Sequence, residues 1–223
     1  TPKKNPKLNV DIRDWVRVSM LFQTNKFDAV IHAAAQASHD WSKDHPVEDF
    51  IINAWGTLNL LEATRQLCPD AVFVYVSTDK VYGMNAPEKE LWDENIDLDK
   101  TSRTPFGVSK LTGDLYTQEY GRYYGLKTAC FRCGCITGAA HEGAELHGFL
   151  AYLTKCIKEG KTYKIFGFNG AQTRDQIHAY DLANAFYQFI QNPKVAEVYN
   201  MGGGPERART LKEFASLISA KLD

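Results

Sequence analysis

Short runs of β-branched and aromatic residues alternate with amphipathic stretches along this chain, and few architectures accommodate that alternation. The runs at 27–33, 71–77, 127–133, 163–166 and 197–201 read as strands. Between them apolar residues recur at helical spacing: Trp15, Val18 and Phe22; Ala54, Leu58 and Leu61; Val108, Leu111 and Leu115; Phe149, Leu153 and Ile157. Leu182, Ala185, Phe186, Phe189 and Ile190 continue the pattern, and Leu211, Phe214, Ala215 and Ile218 end it. Strands alternating with helices predict an α/β fold, a doubly wound parallel sheet covered on both faces. Such sheets bind ligands beyond the carboxyl ends of their strands. The polar stretch 84–104 reads as a long connection over a site.

The 223 residues suffice for one large domain or a domain and a half. Lys and Arg number 26 against 27 Asp and Glu, a net charge of −1 that argues against a nucleic-acid binder. No apolar run approaches the roughly 20 residues that cross a bilayer, so no membrane span is expected. The basic start, Thr1-Pro2-Lys3-Lys4, has no apolar stretch behind it and does not read as a secretory signal. Five scattered cysteines, Cys68, Cys130, Cys133, Cys135 and Cys156, read as reduced thiols of a cytoplasmic protein. Cys130-x-x-Cys133-x-Cys135 invites a metal. On a strand, however, Cys130 and Cys133 point to opposite faces, and no second Cys-x-x-Cys completes a tetrahedron, so no metal is expected.

Polar and small residues gather where strands end. Ala33-Ala34-Ala35-Gln36 follows one strand, and small side chains there let a flat ligand approach the backbone. Ser77-Thr78-Asp79-Lys80-Val81-Tyr82-Gly83 follows the next and is more specific. Phe106 and Lys110, four apart on a predicted helix, share a face. In Arg174-Asp175-Gln176-Ile177-His178-Ala179-Tyr180-Asp181 the last Asp is a candidate N-cap, and His178 is read as orienting Asp175 or Arg174. His39 and His45, in a polar stretch with Asp40, Lys43 and Asp44, read as solvent-facing.

Taken in order, Asp11-Ile12-Arg13, His32-Ala33-Ala34-Ala35, Asn53-x-x-Gly56-Thr57-x-Asn59-Leu60-Leu61-Glu62-Ala63, Ser77-Thr78-…-Tyr82-Gly83, Lys110, Arg174-Asp175-x-x-His178-x-x-Asp181 and Asn200-Met201-Gly202-Gly203 resemble a known family. It is the extended short-chain dehydrogenase/reductase family, the NAD-dependent nucleotide-sugar epimerases and dehydratases. The resemblance runs from about residue 8 to the C-terminus. Within the family the chain looks most like the CDP-paratose/CDP-tyvelose 2-epimerases, on Gly113-Asp114-Leu115-Tyr116, on Glu119-Tyr120-Gly121-Arg122-Tyr123-Tyr124-Gly125 and on Glu145-Leu146-His147-Gly148-Phe149-Leu150 as well as the Ser77 segment.

The resemblance implies a Rossmann-like NAD-binding domain over 1–138, incomplete at its start. Over 139–223 it implies a mixed region of substrate-binding segments, the last sheet strand and helices. Asp11 and Ile12 would contact the adenine of NAD. Ala33, Ala34, Ala35 and Ala37 would line its ribose and phosphate path, with Asn53 and Ser77 beside the nicotinamide half. Lys110 would hold the nicotinamide ribose, and Thr78 would bond the reacting sugar hydroxyl. Arg174 would clamp the substrate pyrophosphate, with Cys135, Phe149, Leu150 and Phe166 against the nucleotide. The implied reaction is redox-neutral: C2 of a CDP-3,6-dideoxyhexose is oxidised to a ketone and reduced again on its other face. A homodimer is implied too, built on the helix that carries Tyr116, Tyr120, Tyr123 and Tyr124 and on the helix after Asn53.

Two departures stand against the family pattern. Phe106 occupies the position of the catalytic tyrosine, and a phenyl ring cannot take a proton. Three explanations are open: another group serves as base, the residue was substituted to trap a complex, or the protein binds without turnover. Asp79, Tyr82, Lys110 and Cys135 are the candidate replacement bases. The second departure is the lack of both a G-x-x-G-x-x-G loop and an initiator Met. On that basis the sequence reads as the middle of a longer chain, expected to bind NAD poorly alone and well in its full-length parent. A 4,6-dehydratase needs a base and an acid after the threonine; many relatives place Asp-Glu there, and this chain places Asp79-Lys80. A 4-epimerase and a non-catalytic nucleotide-sugar or NAD sensor are the remaining readings.

Overall fold

The computed structural model describes residues 8–83, 92–98, 102–141, 148–165 and 168–222. In chain order the elements open with α1 (Trp15–Thr24), β1 (Ala29–His32), α2 (His39–Asp44) and α3 (Pro46–Phe50). A π-helical turn, Ile51–Trp55, leads into α4 (Gly56–Leu67), then β2 (Val72–Thr78) and a 3-10 turn, Asp79–Tyr82. Next come α5 (Pro105–Tyr124), β3 (Thr128–Cys133), β4 (Cys135–Thr137) and α6 (Phe149–Lys158). The chain continues through β5 (Thr173–Arg174), β6 (Gln176–His178), α7 (Ala179–Gln191), β7 (Glu197–Met201), β8 (Arg209–Thr210) and α8 (Leu211–Leu222).

Four strands form one parallel sheet in the order β1-β2-β3-β7. Period-two alternation along β2 and β3 divides their side chains between two cores. Phe73, Tyr75 and Cys130 pack with Val18 and Phe22 of α1, Leu61 of α4 and Tyr120 of α5. Val72, Val74, Phe131 and Cys133 pack with Leu182, Phe186 and Phe189 of α7 on the other face. Cys130 and Cys133 therefore lie in opposite cores, as strand geometry requires, and the doubly wound α/β arrangement follows.

Helix α5 is delimited by its own sequence. Thr104 accepts from the Gly107 N–H as N-cap, Pro105 opens the first turn, and Gly125 ends it at φ +73°, which a side chain at Cβ would oppose. The strand expected at 163–166 is not formed at 163–165, and residue 166 lies outside the described residues. Among the described residues the β-formers there pair with no strand, and propensity without a partner does not make a strand. The polar stretch around His39 and His45 is helical, α2 and α3 stacked against α5; His45 faces solvent as expected, while His39 is half-buried. Ala54 sits in the π-helical turn ahead of the α4 periodicity. Of the connection 84–104, residues 92–98 are irregular, as expected of a loop, while 84–91 and 99–101 lie outside the described residues. Among the described residues no helix is long and apolar enough to cross a membrane.

Candidate functional site

The amino end of α4 and the turn before it hold two loops at the carboxyl edge of the sheet. Asn53, fully buried, accepts from the Gln36 N–H at 2.9 Å and donates to the Gln36 carbonyl at 3.1 Å, which fixes the segment after Ala33-Ala34-Ala35. Its amide also reaches Asp49 Oδ1 and Ser109 Oγ, and Ser109 donates to Asp49 Oδ2 at 2.5 Å. Burial raises the Asp49 carboxyl pKa, and the bonds from Ser109 and Gln36 hold it back. Six residues on, Asn59 donates to the carbonyls of Ile12 and Arg13 at 2.9 and 3.1 Å. A Cβ on Gly56 would come within 2.6 Å of Ile12 Cδ1, so any larger residue there would displace the Ile12 side chain. Asp11 stays exposed, and the Arg13 guanidinium clasping it lowers its carboxyl pKa.

A second buried network locks the end of β2. Asp114 of α5 receives Arg132 from β3 through two bonds, 3.1 and 2.8 Å, together with Ser77 Oγ at 2.6 Å and Gln118 at 2.6 Å. Arg132 also donates to Tyr82 Oη, whose proton goes to Asn200 Oδ1 at 2.7 Å. Burial pushes the Tyr82 phenol pKa up. One turn before Asp114, Lys110 is buried with its Nζ 2.8 Å from the Val76 carbonyl and 4.2 Å from the Tyr75 ring centre. Burial lowers its pKa to about 8. One acceptor for three N–H protons leaves two donors without a partner among the described residues.

Beyond these locks opens a cavity of about 780 Å³. Its walls bring together Ala37, Thr78, Asp79, Phe106, Cys135, Phe149 and Leu150, all expected at the site, with Lys80, His39 and His178. Thr78 Oγ1 donates to Asp79 Oδ1 at 3.1 Å and accepts the Lys80 N–H, and Lys80 Nζ pairs with Asp79 at 2.9 Å. Phe106 is buried against the His39 ring. The Cys135 thiol, pushed up by burial and by Asp79, is a poor nucleophile and a poor base.

Other expected residues stand apart from the cavity. Ala33, Ala34 and Ala35 form an exposed ledge after β1. Asn53 and Ser77 turn their side chains into buried networks, and of the candidate bases Tyr82 and Lys110 are also held beneath the floor. Arg174 is exposed on β5, directly opposite Arg209 of β8. Phe166, and Glu145, Leu146 and His147 of the subfamily motif, lie outside the described residues. The N-cap of α7 is His178, whose Nδ1 accepts from the Tyr180 N–H, so Asp181 is not the cap; among the described residues no hydrogen bond joins His178 to Asp175 or Arg174. Sequence reasoning did not single out His39 or Arg209 for the site: His39 meets Phe106 and Thr104, and Arg209 faces Arg174, through pairings that no local signal marks.

Residues 2–202 match the model of the NAD dependent epimerase/dehydratase family. The chain belongs to that family. It is 34% identical to the CDP-paratose 2-epimerase of Salmonella typhi, over 93% of this chain and 67% of the relative. It is 33% identical to a dTDP-glucose 4,6-dehydratase of Neisseria meningitidis serogroup B, over 96% of this chain and 60% of that one. The family fold is equally plain: the Thermus thermophilus UDP-glucose 4-epimerase, solved in complex with NAD, superimposes with a TM-score of 0.85 at 30% identity, covering 100% of this chain and 70% of its own. The chain thus spans about 60 to 70% of the length of these family members.

Proposed function

We propose that this chain forms the catalytic part of a nucleotide-sugar epimerase that inverts C2 of a CDP-3,6-dideoxyhexose through a transient 2-keto sugar, without net oxidation. The observation that carries the reading is the cavity, where Thr78 and Asp79 meet the apolar wall of Cys135, Phe149 and Leu150 beyond the carboxyl ends of β2 and β3. The 34% identity to a CDP-paratose 2-epimerase supports the choice of C2 and of the CDP group.

The residues present fit NAD. A buried ammonium with two unspent donors at Lys110 suits ribose hydroxyls, and the alanine ledge leaves room for a flat ligand against the backbone. Asp11 and Ile12 would meet the adenine; Ala33, Ala34, Ala35 and Ala37 the ribose and phosphates. Asn53 and Ser77 would serve by fixing the backbone that the nicotinamide half lies on. When bound, NAD supplies the oxidant for C2 and returns the same electrons.

The chain's own residues bind and orient the sugar. The Thr78 hydroxyl, which bonds Asp79 Oδ1 here, can turn its proton to the oxygen of the reacting hydroxyl and orient it. Arg174 and Arg209, like charges set opposite each other on β5 and β8, are relieved by a shared anion, which suits the substrate pyrophosphate. The cavity is lined from both sides of residue 138, in keeping with a cofactor-binding part over 1–138 and a mixed region over 139–223. Exposed Val47, Phe50 and Trp55 beside Leu115, Tyr123 and Tyr124 of α5 support a homodimer through these helices.

Proton NMR of the full-length protein with CDP-paratose and substoichiometric NAD+ tests the reading: the C2 signal converts to that of the epimer with no net reduced cofactor. An unchanged C2 signal in a sample shown to bind NAD overturns it. A 4,6-dehydratase is the second reading, supported by the 33% identity to a dTDP-glucose 4,6-dehydratase; Asp79 keeps the acid that chemistry needs, and Lys80 stands where the carboxylate base would. That enzyme would yield a 4-keto-6-deoxy sugar in the same experiment with a hexose substrate.

A further inference from the structure

With a phenyl ring at 106, the proton of the reacting hydroxyl needs another acceptor, and five other groups near the cavity are committed elsewhere or ill suited. The Tyr82 phenol is spent on Asn200 and Arg132, and Lys110 is fixed to the Val76 carbonyl beneath the floor. Asp79 is paired with Lys80, and burial raises the Cys135 thiol pKa. His178 uses Nδ1 to cap α7.

His39 is placed differently. Its ring packs against Phe106, centroids 4.5 Å apart and planes at 67°. It lines the cavity with Thr78 and Asp79. Nδ1 is 3.0 Å from Thr104 Oγ1, and that oxygen already accepts the Gly107 N–H as the cap of α5. The second lone pair of Thr104 can accept Nδ1–H. In that tautomer Nε2 is an unprotonated nitrogen, and it has no partner among the described residues. The arrangement is that of an imidazole base held by one nitrogen and open at the other.

We propose that His39 is the acid–base residue for the reacting hydroxyl, its Nε2 standing in for the phenol oxygen absent at 106. The inference rests on the nucleotide-sugar reading above. In the oxidation the O–H bond breaks and its proton passes to Nε2 as the C=O bond forms, while the hydrogen on carbon leaves with its electron pair to the oxidised nicotinamide. In the reduction the carbon regains that hydrogen and the oxygen takes its proton back from Nε2, so the imidazole is unchanged over a turnover. The surroundings keep the base neutral. Burial lowers the His39 pKa, Lys80 of the 3-10 turn and Lys43 of α2 lower it further, and Asp79 and Asp40 oppose them; α5 contributes only Thr104 and the uncharged Phe106 ring.

The test compares full-length wild type with His39→Gln, Phe106→Tyr and the double variant. Single-turnover reduction of bound NAD by CDP-paratose is followed against pH, and nitrogen NMR reports the protonation of the His39 ring. The expected result is a loss of about 100-fold or more in His39→Gln, the usual reach of general acid–base catalysis, with the acid limb of the pH profile removed. Phe106→Tyr in the His39→Gln background restores at least part of the rate, and Nε2 of the wild type resonates as unprotonated at neutral pH. A rate in His39→Gln within about threefold of wild type overturns the inference and leaves the epimerase reading standing. If wild type reduces no NAD, that reading fails separately, and the NMR arm decides this one: CDP-paratose that binds and shifts Nε2 supports it, and bound CDP-paratose that leaves Nε2 unmoved overturns it.

Discussion

The floor beneath the cavity and the cavity wall above it both carry ionisable groups, yet they are built on different principles. Below, Asp114, Arg132, Ser77, Gln118 and Tyr82 close on one another, with the Arg132 side chain 3% and the Asp114 side chain 0% exposed. Above, Asp79 and Lys80 are paired but 36% and 44% exposed, and His39 keeps one nitrogen open. A closed network spends every valence on shape. An open one retains valences for a ligand. That contrast separates residues that position the site from those that touch what enters it, and it places Ser77 and Asn53 with the first group.

The closed network is where single substitutions cost most. Arg132→Met strands a buried Asp114 and is expected to lower stability by about 3–5 kcal/mol in denaturant unfolding, whereas replacing both partners with apolar residues costs less than either alone. A cost below about 1 kcal/mol for Arg132→Met would erase the distinction between the two regions. Gly113→Ala probes the same floor through packing. The added Cβ would lie 2.5 Å from Tyr75 Oη, so a loss of about 1–3 kcal/mol is expected.

His32 sharpens the comparison through pH. Thr57 donates to the Asn53 carbonyl at 2.5 Å and so accepts Nε2–H from His32, leaving Nδ1 buried with no partner among the described residues. Burial lowers the pKa of this ring to about 3. Its unfolded form binds a proton below the ordinary histidine value, so between roughly pH 6.5 and 3 the unfolded state holds more protons and stability falls as pH falls. The contribution approaches about 1.4 kcal/mol per pH unit in that window, and His32→Asn is expected to flatten the slope in unfolding measured against pH. On the open side, Lys80→Ala is expected to change stability by no more than about 1 kcal/mol, since its partner is solvated. A larger loss would mean the wall is structural after all.

Legibility in the sequence followed the range of the forces involved. The strand expected at 71–77 forms as β2 at 72–78, because Val72, Val74 and Val76 alternate with Phe73 and Tyr75 in a pattern only a two-sided strand satisfies. The expected span 197–201 coincides with β7. The run at 163–165 carries similar residues but pairs with no strand among the described residues. Thr78, Asp79, Cys135, Phe149 and Leu150 are legible as site residues because their motifs occur in a fixed order, and the cavity does gather them. His39 is not, since what distinguishes it is a ring contact and a hydroxyl 67 and 65 positions away.

By itself, then, the sequence determined the alternation of elements, the split of each central strand between two cores, the start and stop of α5 and the family. Each rests on a local period, a cap or an ordered set of motifs. Only the tertiary structure decided which polar side chains are spent and which are open. The same serine, asparagine or histidine can serve either purpose, and its hydrogen-bond partners come from wherever the chain folds back.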